Sequence, residues 1–125
     1  MAAVLDASAV LAYLLREPGW ETVEEQLGDA VMSVVNAEEV LTRLIRRGES
    51  PARARRILEL LDLKLEPVSE AILWASLEFA DRRYALSLGD RLCLATAQTL
   101  GREAWTADRH WATLDLPVPV RLCRA

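Results

Sequence analysis

The sequence predicts an α/β fold: a three-layer α/β/α sandwich around a central, mainly parallel sheet of four to five strands. Three observations predict it. Short apolar runs recur along the 125 residues, with the length of buried strands rather than helices. Longer stretches between them carry apolar residues at helical spacing. Strands separated by helices pair in parallel, and the connecting helices cover the sheet. A chain of this length forms one domain, residues 1–125, with a single core.

The elements follow in order. Residues 2–6 read as a buried strand, and 8–16 as a helix with Ser8 as its N-cap and Pro18-Gly19 as its stop. A second helix runs from about Trp20 to Leu27, and Gly28-Asp29 leads into a strand at 30–33. Residues 35–47 form a helix with Val40, Leu41, Leu44 and Ile45 as its stripe, ended by Gly48. Ser50-Pro51 starts the next helix, since Ser caps and Pro suits the first turn. A strand near 64–68 precedes a long helix over 70–84 carrying Ile72, Leu73, Leu77 and Phe79. A helix over 90–100 ends at Gly101, and strands at 103–107 and 119–123 finish the chain.

Composition narrows the function. A hydrophobic share of 52% argues against disorder. A net charge of −4 argues against holding nucleic acid by overall charge alone. The basic residues are all Arg except Lys64; Arg suits bidentate phosphate contacts, though genomic coding bias produces the same composition. Cys93 and Cys123 lie in apolar segments with no metal-binding spacing and read as buried free thiols. With no secretory pattern and no membrane-spanning run, the expected location is the cytoplasm. His110 is the only histidine and reads as an exposed turn residue. The tryptophans at 20, 74, 105 and 111 read as packing residues, above all Trp74 and Trp105.

Four acids stand where chemistry is expected. Asp6 and Asp108 close apolar runs, and ligands of parallel sheets collect outside the carboxyl ends of the strands. Asp90 sits three positions after Ser87, the spacing of a capping box. Glu39 lies within a helix beside Glu38. At 100° per residue, Glu38 falls at the edge of the stripe of Val34, Leu41 and Ile45, and Glu39 points with Asn36 and Arg43 to the polar side. Periodicity does not choose between the two. Each acid singly also fits a capping or surface role. Carboxylates gathered by a fold make a hard-oxygen site for Mg²⁺ or Mn²⁺.

The order of these residues resembles the PIN-domain ribonucleases, most closely the VapC toxins of bacterial toxin–antitoxin pairs. Val4-Leu5-Asp6-Ala7-Ser8-Ala9 is similar to that family's first motif. Ser33-Val34-Val35-Asn36-Ala37-Glu38-Glu39-Val40 resembles the second, in a register that selects Glu39. Leu86-Ser87-Leu88-Gly89-Asp90 with Leu92-Cys93-Leu94-Ala95 resembles the third, and Trp105-Thr106-Ala107-Asp108-Arg109 the fourth. Glu38 departs from the pattern, where a neutral residue is usual.

The resemblance implies an endoribonuclease that hydrolyses RNA phosphodiester bonds with Mg²⁺ or Mn²⁺ and is inhibited by a cognate antitoxin, in a homodimer. Asp6, Glu39, Asp90 and Asp108 are its implied catalytic acids. Asp6, Asp90 and Asp108 are the metal ligands, with Glu39 acting through water or on a second ion. Ser8, Asn36 and Thr106 support them. Arg43, Arg46, Arg47 and Arg53 belong to the one strongly basic stretch, residues 43–56, and are the candidate RNA contacts. Two other readings compete. A haloacid-dehalogenase-like phosphatase also has an Asp after its first strand, but needs a second Asp where Ser8 stands. In a non-catalytic partner-binding module, the acids would only cap helices.

Overall fold

The computed structural model describes residues 2–124. Five strands form one sheet: β1 (Val4–Leu5), β2 (Val31–Ser33), β3 (Lys64–Glu66), β4 (Ala104–Thr106) and β5 (Val120–Leu122). Their order is β3-β2-β1-β4-β5, and every neighbouring pair is parallel. The expected α/β/α sandwich is therefore observed, with strands shorter than anticipated. β3 stops at Glu66 rather than 68, since Pro67 has no N–H to donate to a ladder.

Alternation along the strands builds two cores. Ala3, Leu5, Ala30, Met32 and Trp105 face one layer. Val4, Val31 and Ala104 face the other. Successive side chains point to opposite sheet faces, so a sheet covered on both sides needs apolar residues at consecutive positions. Helices α1 (Ala7–Leu14), α2 (Trp20–Glu24) and α4 (Pro51–Leu60), with the inner face of α3 (Val34–Arg46), cover the first. Helices α5 (Glu70–Ser76) and α6 (Leu88–Leu100) and a 3₁₀ turn over Arg109–Thr113 cover the second. No helix among the described residues is long and apolar enough to cross a membrane.

Several expectations are corrected. The helix over 70–84 ends at Ser76 and continues as separate 3₁₀ turns, Leu77–Phe79 and Arg82–Tyr84. Ser76 Oγ bonds back to the Leu73 carbonyl at 2.6 Å, and the Asp81 carboxylate accepts from the Arg83 N–H at 2.9 Å. Side chains of this kind compete with the helical ladder. Asp81 lies well below the usual carboxylate range, at about 2, because Arg83 hydrogen-bonds to it. In α3 the buried residues are Asn36, Ala37, Val40 and Leu44, whereas Val34 and Ile45 are exposed. The buried face is thus rotated from the Val34–Leu41–Ile45 stripe, and Asn36 points inward. Trp105 and Trp111 are buried, but Trp74 is 59% exposed. Both cysteines are buried and free.

This order positions the site. β2 and β3 lie on one side of β1, β4 and β5 on the other. The connections out of β1 and β4 therefore diverge, and the crevice at such a switch point is where open α/β sheets hold ligands. Asp6 and Thr106 stand there, with the Asp6 N–H donating to the Trp105 carbonyl at 3.0 Å.

Candidate active site

Asp6 immediately follows β1 and caps α1, a role the sequence assigned to Ser8. Its carboxylate accepts from the Ala9 N–H at 2.8 Å, the Ser8 hydroxyl at 2.8 Å and the Thr106 hydroxyl at 2.6 Å. Ser8 stands inside α1, where its oxygen also accepts from the Ala107 N–H at 2.9 Å. Thr106 Oγ1 accepts from the Asp108 N–H at 3.0 Å. Two hydroxyls thus join the ends of β1 and β4 around one carboxylate.

The charge balance at Asp6 is unfavourable. The residue is only 4% exposed. Burial pushes its pKa from 3.8 up to about 6, the three donors offset part of that, and the charge of Asp90 adds to it. Every donor that steadies the carboxylate is neutral; what opposes its ionisation is desolvation and a second acid.

Asp90 lies in the first turn of α6, two residues inside a helix expected to begin at Asp90 itself. The capping box forms as anticipated: Asp90 N–H to Ser87 Oγ at 3.2 Å, Ser87 N–H to Asp90 Oδ2 at 3.0 Å. Glu39 projects from α3, and its Oε1 accepts from Asn36 Nδ2 at 2.7 Å. The same amide donates to the Gly89 carbonyl at 3.2 Å, tying α3 to α6. Asn36 is 2% exposed, and its Oδ1 has no hydrogen-bond partner among the described residues.

The charges of all three acids are felt at Cys93, which lies one turn beyond Asp90 in α6. Burial, then the charges of Asp6, Asp90 and Glu39, push this thiol well above its usual range. A neutral, fully buried thiol is a poor nucleophile. Asp108 stands at the rim, capping the 3₁₀ turn by accepting from the His110 N–H at 2.9 Å. His110 is half-buried rather than exposed, because its Nε2 lies 2.6 Å from the Tyr84 carbonyl.

The basic residues divide. An open groove of about 550 Å³ has Ala7 and Leu11 on one wall and Glu39, Arg43 and Arg46 on the other. Arg47 is exposed. Arg53 pairs with Glu49 at 3.0 Å, on a side chain 76% exposed. Glu38 hydrogen-bonds to Thr42 one turn along α3.

The donor set suits a hard cation in its chemistry: oxygen ligands, a carboxylate that burial strips of water, and no charge that neutralises it. As the side chains stand, no three His, Cys, Asp or Glu among the described residues form a ready-made cluster. The fit therefore rests on the pull a cation would exert on Asp6 and Asp90, with Glu39 and Asp108 at the margins. The sequence marked Gly89 only as a motif member and Cys93 as a buried free thiol within the same motif, and set neither beside the acids. A glycine in the first turn of a helix was the available signal for Gly89; nothing placed Cys93 near them.

A PIN-domain family model matches residues 3–116. No curated protein sequence gives a significant match. Among solved structures, the chain resembles one from the VapBC2 complex of Rickettsia felis bound to a promoter DNA fragment, with TM-score 0.77, 11% identity and 98% of each chain covered. It also resembles one from VapBC-1 of nontypeable Haemophilus influenzae, with TM-score 0.71, 17% identity and 98% of each chain covered. A toxin–antitoxin complex from Klebsiella pneumoniae gives TM-score 0.71 at 20% identity, covering 86% of this chain and 88% of that one. At such identities these structures speak for the fold.

Proposed function

The chain belongs to the PIN-domain family, and from that premise we propose that it is a Mg²⁺- or Mn²⁺-dependent endoribonuclease, the toxin of a toxin–antitoxin pair held inactive in the cytoplasm by its cognate antitoxin. The observation that carries the reading is Asp6: a buried carboxylate at the switch point of the sheet, held by neutral donors and opposed by Asp90. Such a group is costly without a cation.

In this reading the whole chain is one PIN-like domain. Asp6, Asp90 and Asp108 hold the cation, and Glu39 acts through water or on a second ion. A bound cation supplies the positive charge that lets a phosphodiester approach these acids, and lowers the pKa of water there. Ser8 and Thr106 hold Asp6 in one orientation. Asn36 holds Glu39. Arg43 and Arg46, on the groove wall, grip RNA phosphates, and Arg47 and Arg53 extend the basic surface. An antitoxin segment would compete for this groove, an occupant suggested by the toxin–antitoxin complexes among the structural relatives. A second copy of the chain is the other protein partner, which solution mass with and without the antitoxin would reveal.

The test is cleavage of a broad RNA panel by the folded, antitoxin-free protein. Activity should require Mg²⁺ or Mn²⁺ and fall by on the order of 10³-fold in Asp90→Asn, with the circular dichroism spectrum unchanged. No cleavage together with no cation binding by calorimetry would overturn the reading. Replacing Arg43 and Arg46 together by Ala should raise KM by about 10-fold and leave kcat nearly unchanged, the mark of lost uniform binding.

A further inference from the structure

Gly89 lies in the first turn of α6 and is buried. It has an ordinary helical backbone, so its conformation does not call for glycine. Space does. A β-carbon at Gly89 would stand 2.5 Å from Glu39 Oε1, 2.9 Å from Oε2 and 2.9 Å from the carboxyl carbon. All three of its nearest neighbours belong to one carboxylate on another helix. The Gly89 carbonyl, for its part, accepts from Asn36 Nδ2, the same amide that donates to Glu39 Oε1.

We propose that Gly89 is a positioning residue for Glu39: the missing side chain opens the place in which the Glu39 carboxylate rests against the first turn of α6, and Asn36 fastens it there. The inference rests on the nuclease reading for its functional consequence, and on the geometry alone for the placement. Two features favour the arrangement. The positive end of the α6 dipole attracts an anion at its first turn. The atoms a larger residue would collide with are the far end of a flexible side chain, so the carboxylate yields and the backbone does not. Replacing Gly89 should therefore move an acid without unfolding the protein.

The prediction is a separation of two readouts. In Gly89→Ala, RNA cleavage should fall about 10-fold or more, to the level of Glu39→Ala, and Mn²⁺ affinity measured by calorimetry should fall with it. Adding Gly89→Ala to Glu39→Ala should cost nothing further. Thermal melting of the metal-free protein supplies a second cycle that needs no activity. Alanine is the better helix former, so Gly89→Ala should raise the melting temperature more in the Glu39→Ala background, where nothing opposes the methyl group, than in the native one. Equal shifts in both backgrounds would overturn the placement. Full cleavage by Gly89→Ala, when Glu39→Ala is impaired, would overturn the positioning role. If Glu39→Ala cleaves as well as the native chain, the assignment of Glu39 fails, and the melting cycle still decides whether Gly89 makes room for its carboxylate.

Discussion

Asp6→Asn is expected to abolish RNA cleavage and at the same time to stabilise the metal-free protein at pH 8. Loss of cleavage should be at least on the order of 10³-fold, since a neutral amide cannot offset the charge of a cation. The gain in stability follows from linkage. The folded pKa of Asp6, about 6, lies above the ordinary 3.8 of an unfolded Asp. Between those values the folded state binds the proton more tightly, so stability falls as pH rises through that window. Below the window both states are protonated and the penalty is absent. Above it the full penalty applies, at most about 3 kcal/mol for a shift of this size. The amide keeps the volume and an oxygen for Ala9 and Ser8, and its NH₂ can donate to Thr106 if that hydroxyl reorients. Urea unfolding at pH 8 should therefore show the variant more stable by about 1–3 kcal/mol, with the difference shrinking to about 0.5 kcal/mol near pH 4 and vanishing below about pH 3. A variant no more stable than the native chain at pH 8 would mean that Asp6 is not strained as described. Added Mn²⁺ should reverse the ranking by stabilising only the native protein.

Thr106→Val should act in the opposite direction on the same carboxylate. Thr106 is fully buried, and its hydroxyl is the strongest of the donors holding the Asp6 pKa down. Valine matches its shape but leaves Asp6 Oδ2 and the Asp108 N–H without their partner. The expected cost is about 1–3 kcal/mol of stability at neutral pH. The Asp6 titration, followed by carboxyl chemical shifts in the metal-free protein, should move above its native midpoint. The acid limb of the cleavage profile should move the same way, because a larger fraction of Asp6 is then protonated at a given pH. An unmoved midpoint would show that Thr106 serves only as a structural tie.

The strand ends were readable because an apolar run closed by an acid is a local pattern. Asp6, Asp108 and the capping box of Ser87 and Asp90 all stand where local rules put them. What failed depended on contacts distant in sequence. Asn36 is polar, and a helical wheel turns it outward; only the Gly89 carbonyl, 53 positions away, explains why it turns in. The wheel was misled further by Val34 and Ile45, apolar residues that remain exposed. The break after Ser76 lay in side-chain bonds to the backbone, which periodicity does not register. Glu39 was separated from Glu38 by family register alone; in the fold, Glu39 bonds to Asn36 while Glu38 turns to Thr42.

The pairing of β1 with β4 also bears on the order in which the candidate site is assembled. β1 lies at the centre of the sheet, and of its two neighbours β4 is made long after β2. Thr106 bonds to Asp6 across 100 positions of sequence. Parallel pairing over such a separation is slow to close. A nascent chain that has built β1, β2 and β3 still lacks Thr106 and Asp108. A site built across this sheet stays incomplete until β4 has been made and has paired with β1.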